Sequence, residues 1–458
     1  MTEKTPQFTP QPHEQWSYIE HLAQASSIKP VILKKDLFDS QGDPLFTKGT
    51  QLDILHLVKL KRATSKCHPE KWFNIESAIT QTGLSSRFAQ LLHQHSDLKA
   101  IFDANELESP LQTVLQHFTQ YRFFIQKITL LELLLPDLFH KACYCTLLCL
   151  ATARHLGLPY TNTQTLFNIS MLRDIGVLYL SNLSNIKLDS SRDERLTKQI
   201  LKLNAWVLSL EPEATTDDAL LGLLEQYERA DGSGFPRGDA GDTLSDLGQL
   251  LALTNKLYNT YWNYLEPKGL TLSACIPMLR LNNLRYKYIH YASISQAINC
   301  ARLPQERHVA DQFVQDFTRT LLATQQRLER WYKLAQSLNK QLLHETCHPS
   351  LQRLKRMMQS VHDRVETSGI FSECMGRWIE YVQVSELDVS YLEMEEIHLM
   401  LHEISDQLSE ISAQLTRAID AFAGEALTNN PNKIARPDPV ERFDTLQGQL
   451  LSLVNAAV

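Results

Sequence analysis

The sequence predicts a mainly α-helical protein with a small β-containing N-terminal module, a helical body and a C-terminal helical bundle. In most windows between residues 52 and 137, apolar residues recur every three or four positions, which is the period of amphipathic helices. Between residues 30 and 51, two short apolar runs flank a cluster of turn residues, a pattern typical of a β-hairpin. Beyond residue 270 nearly every window is helical, and β-branched runs of period two are absent, so we expect no large sheet there.

Four parts follow in order along the chain. Residues 1–28 are rich in Gln, Thr and Pro, and we interpret them as a flexible leader. Residues 29–110 contain the hairpin and the first helices and form a predicted accessory module. Residues 111–303 form the predicted helical body. In residues 304–458, Gln, Arg, Leu and Glu dominate long amphipathic stretches, which predict an antiparallel bundle or a coiled-coil dimer element.

The helices of the body have recognisable ends. Pro136 is suited to a helix start because its missing N–H needs no partner there, and Asp137 behind it meets the helix dipole. Gly157 closes this strongly apolar helix. A second helix is expected to open near Thr163 and to end over residues 171–176.

Composition excludes several classes of function. The chain has 458 residues, enough for two or three domains, and its net charge is −7 with 21% charged residues. A protein with this balance lacks the basic field that favours nucleic acid or an anionic membrane. Since it has neither a run of 18 apolar residues nor the apolar core of a signal peptide, we expect a cytoplasmic protein without membrane insertion.

A glycine-dense turn follows the helix predicted over residues 216–229. Gly232 and Gly234 permit positive φ and close backbone approach, and Pro236 fixes the exit of the turn. The pattern therefore indicates a helix that delivers side chains into a rigid turn.

The residues Asp-Gly-Ser-Gly-Phe-Pro at 231–236 resemble the signature loop of the HD-GYP phosphodiesterases, a branch of the HD metal hydrolases that cleaves cyclic di-GMP. In that family the loop reads His-His-Glu, two residues, Asp-Gly-Ser-Gly-Tyr-Pro. The resemblance covers roughly residues 30 to 300. It implies an HD-like helical body, a bacterial source and a site for two or three metal ions.

The resemblance also implies where the metal ligands would lie. Such a site needs neutral imidazoles and bridging carboxylates to hold its cations and activate water. Only His140 and Asp174 retain a ligand type, and Arg173 stays protonated and cannot coordinate a cation. We therefore expect no bound metal, no cofactor and no catalytic residue, with Arg173 paired to Asp174 or Glu228. The matched positions are His140, Arg173, Asp174, Asn204, Gln226, Tyr227 and Asn255.

The signature loop has two readings. A well-made glycine turn stabilises the fold by itself, and the same turn is a candidate contact for partner proteins. For the family, the resemblance implies signalling partners such as GGDEF cyclases and PilZ adaptors. The residues concerned are Asp231, Gly232, Ser233, Gly234, Phe235, Pro236 and Arg237.

We therefore expect a catalytically inactive HD-GYP-like protein that acts as a scaffold or adaptor in cyclic di-GMP-related signalling. Its C-terminal helices would dock a partner or form a homodimer. Two alternatives stay open: a cyclic di-GMP receptor that binds without hydrolysis, and a phosphodiesterase with a rebuilt metal site.

Two pairs of spaced side chains have simpler explanations. Cys145 and Cys149 are four residues apart on one predicted helix and are expected to be small buried hydrophobes. His398 and His402 have the same spacing, but the intervening residues lack the glutamate of a zinc-protease motif. We expect neither pair to bind a metal.

Overall fold

The computed structural model shows a mostly helical protein. Within the described residues the chain forms two compact units, each built from more than one stretch of sequence. The first contains Met1–Tyr227, Ser245–Thr260 and Ala292–Arg302, and the second contains Glu228–Leu244, Tyr261–Tyr291 and Leu303–Val458. The domain boundaries predicted above stay predictions. The described residues are 8–63, 68, 71–183, 194–305, 307–342, 349–385 and 388–429.

The first unit begins with one helix and two small antiparallel sheets. Strand β1 pairs with β4, placing Val31 opposite Ile75, and β2 pairs with β3 across the turn that starts at Asp39. A hairpin is thus found within residues 30–51, but its first strand is β2, and the predicted first run, Val31–Leu33, pairs with β4, which was not predicted. The elements are α1 (Pro12–Ala25), β1 (Val31–Leu33), β2 (Leu37–Phe38), β3 (Pro44–Phe46), α2 (Leu57–Leu60) and β4 (Phe73–Ile75).

The prediction of a flexible leader is wrong for residues 12–25. Helix α1 buries Tyr18, Ile19 and Leu22 in the first unit. These three side chains occupy one helical face at positions i, i+1 and i+4, and their burial stabilises the helix. The helix was not predicted because the high content of Gln, Thr and Pro in residues 1–28 outweighed this short apolar stripe.

A layered set of helices completes the first unit. As predicted, α7 begins at Pro136 and ends before Gly157, which has a φ of +62°. Helix α8 starts three residues earlier than predicted. The helices are α3 (Gln81–Gln94), α4 (Ser96–Ala104), α5 (Glu108–Phe118), α6 (Arg122–Leu134), α7 (Pro136–Leu156), α8 (Tyr160–Met171), α9 (Glu194–Ser209), α10 (Asp217–Glu225) and α11 (Asp246–Thr260).

A buried lysine connects α1 to this helical layer. Lys127 of α6 is fully buried, and its ammonium lies 3.2 Å from the centroid of the Tyr18 ring. The same ammonium donates a hydrogen bond of 2.5 Å to the Tyr179 hydroxyl. The rings of Tyr18 and Tyr179 stack with centroids 5.0 Å apart. Cation–π contact and hydrogen bonding thus compensate the burial of the charge.

Long helices form the second unit, as the amphipathic stretches predict. Helices α14 to α17 pack on a common apolar core that includes Leu321, Leu354 and Leu401. No helix among the described residues has a stretch long and apolar enough to cross a bilayer. Residues 430–458 of the predicted bundle lie outside the described residues. The boundary between the two units falls within α13, after Tyr291. The helices are α12 (Cys275–Leu281), α13 (Tyr288–Cys300), α14 (Val314–Leu342), α15 (Pro349–Ser368), α16 (Glu373–Ser385) and α17 (Asp388–Asn429).

Candidate functional site

The centre of the first unit holds most of the predicted metal-ligand positions. Helix α8 ends at Met171, and the 3₁₀ turn Ile175–Tyr179 starts directly after Asp174. Helix α9 packs on this turn, and the end of α10 lies beside it. We call the residues Arg173, Asp174, Asn204, Gln226 and Tyr227 the HD-motif cluster.

Arg173 is the central residue of this cluster. Its side chain is 0% exposed, and its Nε lies 3.4 Å from Oδ2 of Asp174, which is itself buried. Burial opposes the guanidinium charge, but the acidic neighbours, Cys145 and Asp174 first among them, raise the pKa of Arg173 overall. Burial raises the pKa of the Cys145 thiol, which leaves Cys145 a poor counter-charge for the guanidinium, whereas the Asp174 carboxyl lies within ion-pair distance. The predicted pairing of Arg173 with Asp174 is therefore observed.

Two amides of the HD-motif cluster hold the backbone of Arg173. The Nδ2 of Asn204 donates to the Arg173 carbonyl, and its Oδ1 accepts from the Gly176 N–H at 2.6 Å. The Nε2 of Gln226 donates to the same Arg173 carbonyl at 3.0 Å. These side chains therefore fix the turn that carries Arg173 and Asp174.

Tyr227 completes the cluster as a neutral phenol. Burial and the charge of Asp174 both raise its pKa. Asn255 is buried on α11, and its Oδ1 accepts no hydrogen bond from the described residues. Neither side chain offers the anionic oxygen that a divalent cation prefers.

Lys141 is a second buried cation in this region and was missed in the sequence. It is 5% exposed on α7, one turn before Cys145, and its ammonium lies 5.6 Å from the centroid of the Tyr258 ring. Its positive charge acts on the Cys145 thiol. The sequence signal that could have identified it is a lysine within a strongly apolar helix, four residues before Cys145.

The cysteines behave as predicted. Cys145 and Cys149 are fully buried, and Sγ of Cys149 lies 3.4 Å from Oγ1 of Thr254. Burial raises the pKa of Cys149 to about 11. Both thiols are therefore protonated near neutral pH and are weak metal ligands.

His140 contacts a different set of residues. Its Nε2 lies 3.1 Å from Nε2 of His95, and its Nδ1 lies 3.3 Å from the Tyr258 hydroxyl. Burial lowers the pKa of His140, and His95 lowers it further. His95 was not among the predicted site residues, because it lies far from every motif position.

The signature loop lies in the second unit and is largely buried. Gly232, Ser233, Gly234 and Phe235 are buried, whereas Arg237 is exposed. The carboxylate of Asp231 accepts hydrogen bonds from the backbone N–H and the hydroxyl of Ser233, at 2.9 and 2.6 Å.

The carboxylate of Glu228, at the start of the loop, binds the backbone at its end. It accepts from the N–H groups of Arg237 and Gly238 at 2.7 and 3.1 Å. Glu228 is thus bound to the loop backbone, and Asp174 is the residue that pairs with Arg173. Gly234 is required sterically, since a Cβ there would lie 2.5 Å from the Cα of Glu228.

Helix α15 covers the loop with a row of polar side chains. Arg353 donates from Nε to the Ser233 carbonyl at 3.2 Å, and Arg356 donates to the Gly238 carbonyl. The Ser360 hydroxyl donates to Asp231, and Arg364 lies 3.5 Å from the same carboxylate. The loop is therefore bound within its own unit.

A buried ion network extends from Asp231 to α17. Arg285 lies 3.9 Å from Asp231, 3.7 Å from Glu403 and 3.3 Å from Glu410. Arg364 donates to Gln407 at 2.7 Å. Paired charges of this kind tie a turn to a bundle with high geometric specificity.

His398 and His402, the histidine pair with a spacing of four residues, also lie in the second unit. The Nε2 of His398 is 3.2 Å from the Tyr264 hydroxyl, and the ring of His402 stacks on Tyr264. Among the described residues, no group of three or more His, Cys, Asp and Glu side chains is arranged to hold a metal ion.

Comparison with known families gives one match. Residues 126–288 match the model of the family described as HD domain. Searches of curated proteins and of solved structures gave no match. The matched range contains the HD-motif cluster and the signature loop.

The HD-motif cluster does not fit the metal that an HD hydrolase would carry. A binuclear centre needs several anionic or imidazole ligands. Here an arginine is paired with the carboxylate of Asp174, amides bind backbone, and a phenol stays neutral. No catalytic step is therefore derived through a metal at this cluster.

Proposed function

We propose, from the match of residues 126–288 to the HD-domain model, that the protein is a catalytically inactive member of that family, which is of the metal-dependent phosphohydrolase type. In this proposal the protein acts as a scaffold or adaptor through protein–protein contacts. Its setting would be cyclic di-GMP-related signalling in a bacterium.

The buried pair of Arg173 and Asp174 carries the proposal. A guanidinium in the place of a metal-binding imidazole repels a divalent cation and cannot release its proton to become a ligand. It also occupies the carboxylate that would bridge the metal ions. Lys141 adds a second positive charge nearby, which acts on Cys145 as Arg173 does. This charge arrangement supports the proposed loss of hydrolysis.

The remaining ligand positions support the same conclusion. Asn204 and Gln226 are committed to the carbonyl of Arg173. Both side-chain amides thus hold backbone, whereas Oε1 of Gln226 and Oδ1 of Asn255 accept no hydrogen bond from the described residues. A hydrolase with a rebuilt metal site would need a group of ligands that the described residues do not offer.

The signalling role rests on the resemblance of the loop at 231–236 to the HD-GYP signature. GGDEF or PilZ proteins are the proposed partners. Because α15 covers most of the loop, the proposed contact for a partner is the exposed side chain of Arg237, which also pairs with Asp239. The long helices α14 to α17 would supply the rest of the contact or a homodimer interface.

Cyclic di-GMP binding without hydrolysis is the second candidate and is less well supported. A nucleotide of this size needs an open, concave site with a few polar groups. The HD-motif cluster is occupied instead by the fully buried side chain of Arg173 and the half-buried side chain of Tyr227.

A hydrolysis assay tests the proposal directly. The unsubstituted 458-residue chain supplied with Mn²⁺ or Fe²⁺ is expected to hydrolyse neither cyclic di-GMP nor a simple aryl phosphodiester above the rate of the buffer. Turnover that the D174A variant abolishes would contradict inactivity. Calorimetry with cyclic di-GMP at tens of micromolar is expected to show no heat, and a saturable signal would favour the receptor alternative.

A binding assay tests the adaptor role. Candidate GGDEF and PilZ proteins from the same organism are immobilised and probed with the unsubstituted chain and with R237E. Saturable binding that R237E weakens would support a contact at the loop. Absence of binding to every candidate would contradict the proposed class of partner.

A further inference from the structure

A short helical segment of the first unit exposes three aliphatic side chains beside three cations. The segment consists of a 3₁₀ turn over residues 54–56 that continues directly into α2. We propose that it docks on the surface of an anionic phospholipid bilayer, without crossing it. The exposed side chains, here called the α2 patch, are Ile54, Leu55, Val58, Lys59, Lys61 and Arg62.

The aliphatic side chains of the α2 patch lie largely in solvent. Ile54 is 58% exposed, Leu55 82% and Val58 71%. Neighbouring exposed apolar side chains rimmed by polar ones mark an interaction site, whereas single ones do not. Contact with a second surface would remove these three side chains from water, and the hydrophobic effect favours that transfer.

Helical spacing places cations on the same face as the aliphatic side chains. Lys61 and Arg62 follow Val58 by three and four residues, a spacing at which side chains are neighbours on a helix surface. Val58 follows the two other aliphatic residues of the patch by the same spacings. Leu60 is buried, so the opposite side of the segment faces the unit. One exposed face is therefore aliphatic at its start and positively charged at its end.

The first unit holds the α2 patch in place. Asp53 precedes the 3₁₀ turn, and its carboxylate accepts a hydrogen bond from the Leu55 N–H at 3.0 Å. Leu52 and Leu60, before and after the turn, are buried, and α2 packs on α1. A surface that is already ordered loses little conformational freedom when it docks.

The composition of the α2 patch favours a membrane over a protein partner. The buried centres of protein interfaces are enriched in aromatic side chains and depleted of lysine. Aliphatic side chains together with Lys and Arg are typical of surfaces that lie on anionic lipids, where the apolar groups enter the headgroup region and the cations attract the lipid charge. Charge complementarity therefore assigns an anionic bilayer to this patch.

The α2 patch is locally positive, although the whole chain has a net charge of −7. Residues 53–62 carry three cations and one carboxylate, that of Asp53. At physiological ionic strength charges are screened beyond about 8 Å, so the patch acts mainly through its own groups. The match to the HD-domain model begins at residue 126, and the docking does not depend on the proposed function.

Vesicle flotation tests the docking. The unsubstituted 458-residue chain is mixed with vesicles of phosphatidylglycerol and phosphatidylcholine, or of phosphatidylcholine alone. Binding to the anionic vesicles is expected, at least tenfold tighter than to the neutral ones and weaker as salt is added. The variants L55Q/V58Q and K59Q/K61Q/R62Q are each expected to weaken this binding at least tenfold.

Each patch variant has a matched control elsewhere on the surface. L284Q/I289Q replaces two aliphatic side chains that are 45% and 57% exposed. K99Q/R319Q/R377Q removes three exposed cations and changes the net charge as much as the triple patch variant does. Because exposed ion pairs contribute little to stability, this control is expected to fold normally. Both controls are expected to bind vesicles as the unsubstituted chain does.

Several outcomes would overturn the docking. Absence of binding to anionic vesicles by the unsubstituted chain is one, and unchanged binding in both patch variants is another. A dimer that L55Q/V58Q dissociates, in a chain that does not float with vesicles, would place a second copy of the chain on the patch instead. If the patch variants fail to fold, amide hydrogen exchange of the unsubstituted chain decides. Anionic vesicles are expected to slow exchange in residues 53–62, and protection confined to other residues would refute the docking.

Discussion

The HD-motif cluster and the signature loop are both buried and polar, but their hydrogen bonds serve different parts of the chain. In the cluster, side chains at the predicted ligand positions bind a neighbouring charge or a carbonyl, as Arg173 and Asn204 do. In the loop, the backbone itself is bound, by Glu228 from inside and by Arg353 and Arg356 from α15.

We relate this difference to the resemblance of the loop to the HD-GYP signature, which the side chains of the cluster do not share. A metal ligand without a metal is a buried polar group in need of a partner, so replacement by a group that finds one is favourable. A glycine turn that fits against a helix has a structural role whether or not a metal is bound. The loop motif therefore identifies a fold more securely than it identifies an activity.

Replacement of Arg173 is expected to have the largest effect. R173M leaves the carboxylate of Asp174 buried without its cation, which is expected to cost about 3–5 kcal/mol of unfolding free energy. The double variant R173M/D174L, which removes both charges, is expected to recover most of that loss. Urea unfolding followed by circular dichroism measures both. A single variant as stable as the unsubstituted chain would show that the pair contributes nothing.

Removal of the Asp231 carboxylate is expected to loosen the loop and α15 together. D231A takes an acceptor from Ser360 and a counter-charge from Arg364 and Arg285, at an expected cost of about 2–3 kcal/mol. Amide hydrogen exchange is expected to quicken in residues 228–244 and 353–368. The control D239A breaks only an exposed ion pair with Arg237 and is expected to change little. Equal exchange in the two variants would contradict the network.

Two tightly packed glycines allow the cluster and the loop to be compared by the same substitution. A Cβ at Gly176 would lie 2.6 Å from the Ile200 carbonyl, and one at Gly234 would lie 2.5 Å from the Glu228 Cα. G176A and G234A are each expected to cost about 1–3 kcal/mol through overpacking. The control G376A, on α16 with its nearest neighbour at 3.9 Å, is expected to be slightly stabilising. Thermal unfolding of the three variants separates these effects, and a destabilised G376A would weaken the steric argument.

The smallest effect expected is a dependence of folding stability on pH, to which one histidine in each unit contributes. Burial lowers the pKa of His21 in the first unit and of His398 in the second, from an ordinary 6.5. Because each folded-state pKa lies below the unfolded value, the unfolded chain binds more protons, and stability is lost as pH falls below about 6.5. H21Q and H398Q are each expected to flatten the dependence of urea midpoints on pH between 7.5 and 5.5. An unchanged slope in both would refute this assignment.

Local patterns were sufficient for most of the helices. Periodicity located α9 and α17, Pro136 and Gly157 marked the ends of α7, and turn residues marked the hairpin. The pairing of Arg173 with Asp174 was one of two that the resemblance suggested, the other being with Glu228, since a buried guanidinium requires a nearby anion. These features depend on neighbours in the sequence or on a known motif.

Contacts between distant residues could not be predicted in this way. The loop at Asp231 and the helix that carries Ser360 are separated by more than a hundred residues, and neither has a local signal for the other. The pairing of His95 with His140 was missed for the same reason. Helix α1 was missed for another reason, since the polar composition of residues 1–28 outweighed its short apolar stripe.

The position of Lys127 bears on how the protein can be shortened. Deleting residues 1–25 as a dispensable tail would remove the Tyr18 ring from above the ammonium and uncover the side chains against which α1 packs, while Tyr179 and Phe123 still lie beside the charge. A trimmed protein is therefore expected to expose hydrophobic surface and aggregate during purification, and K127M is the substitution to combine with such a deletion.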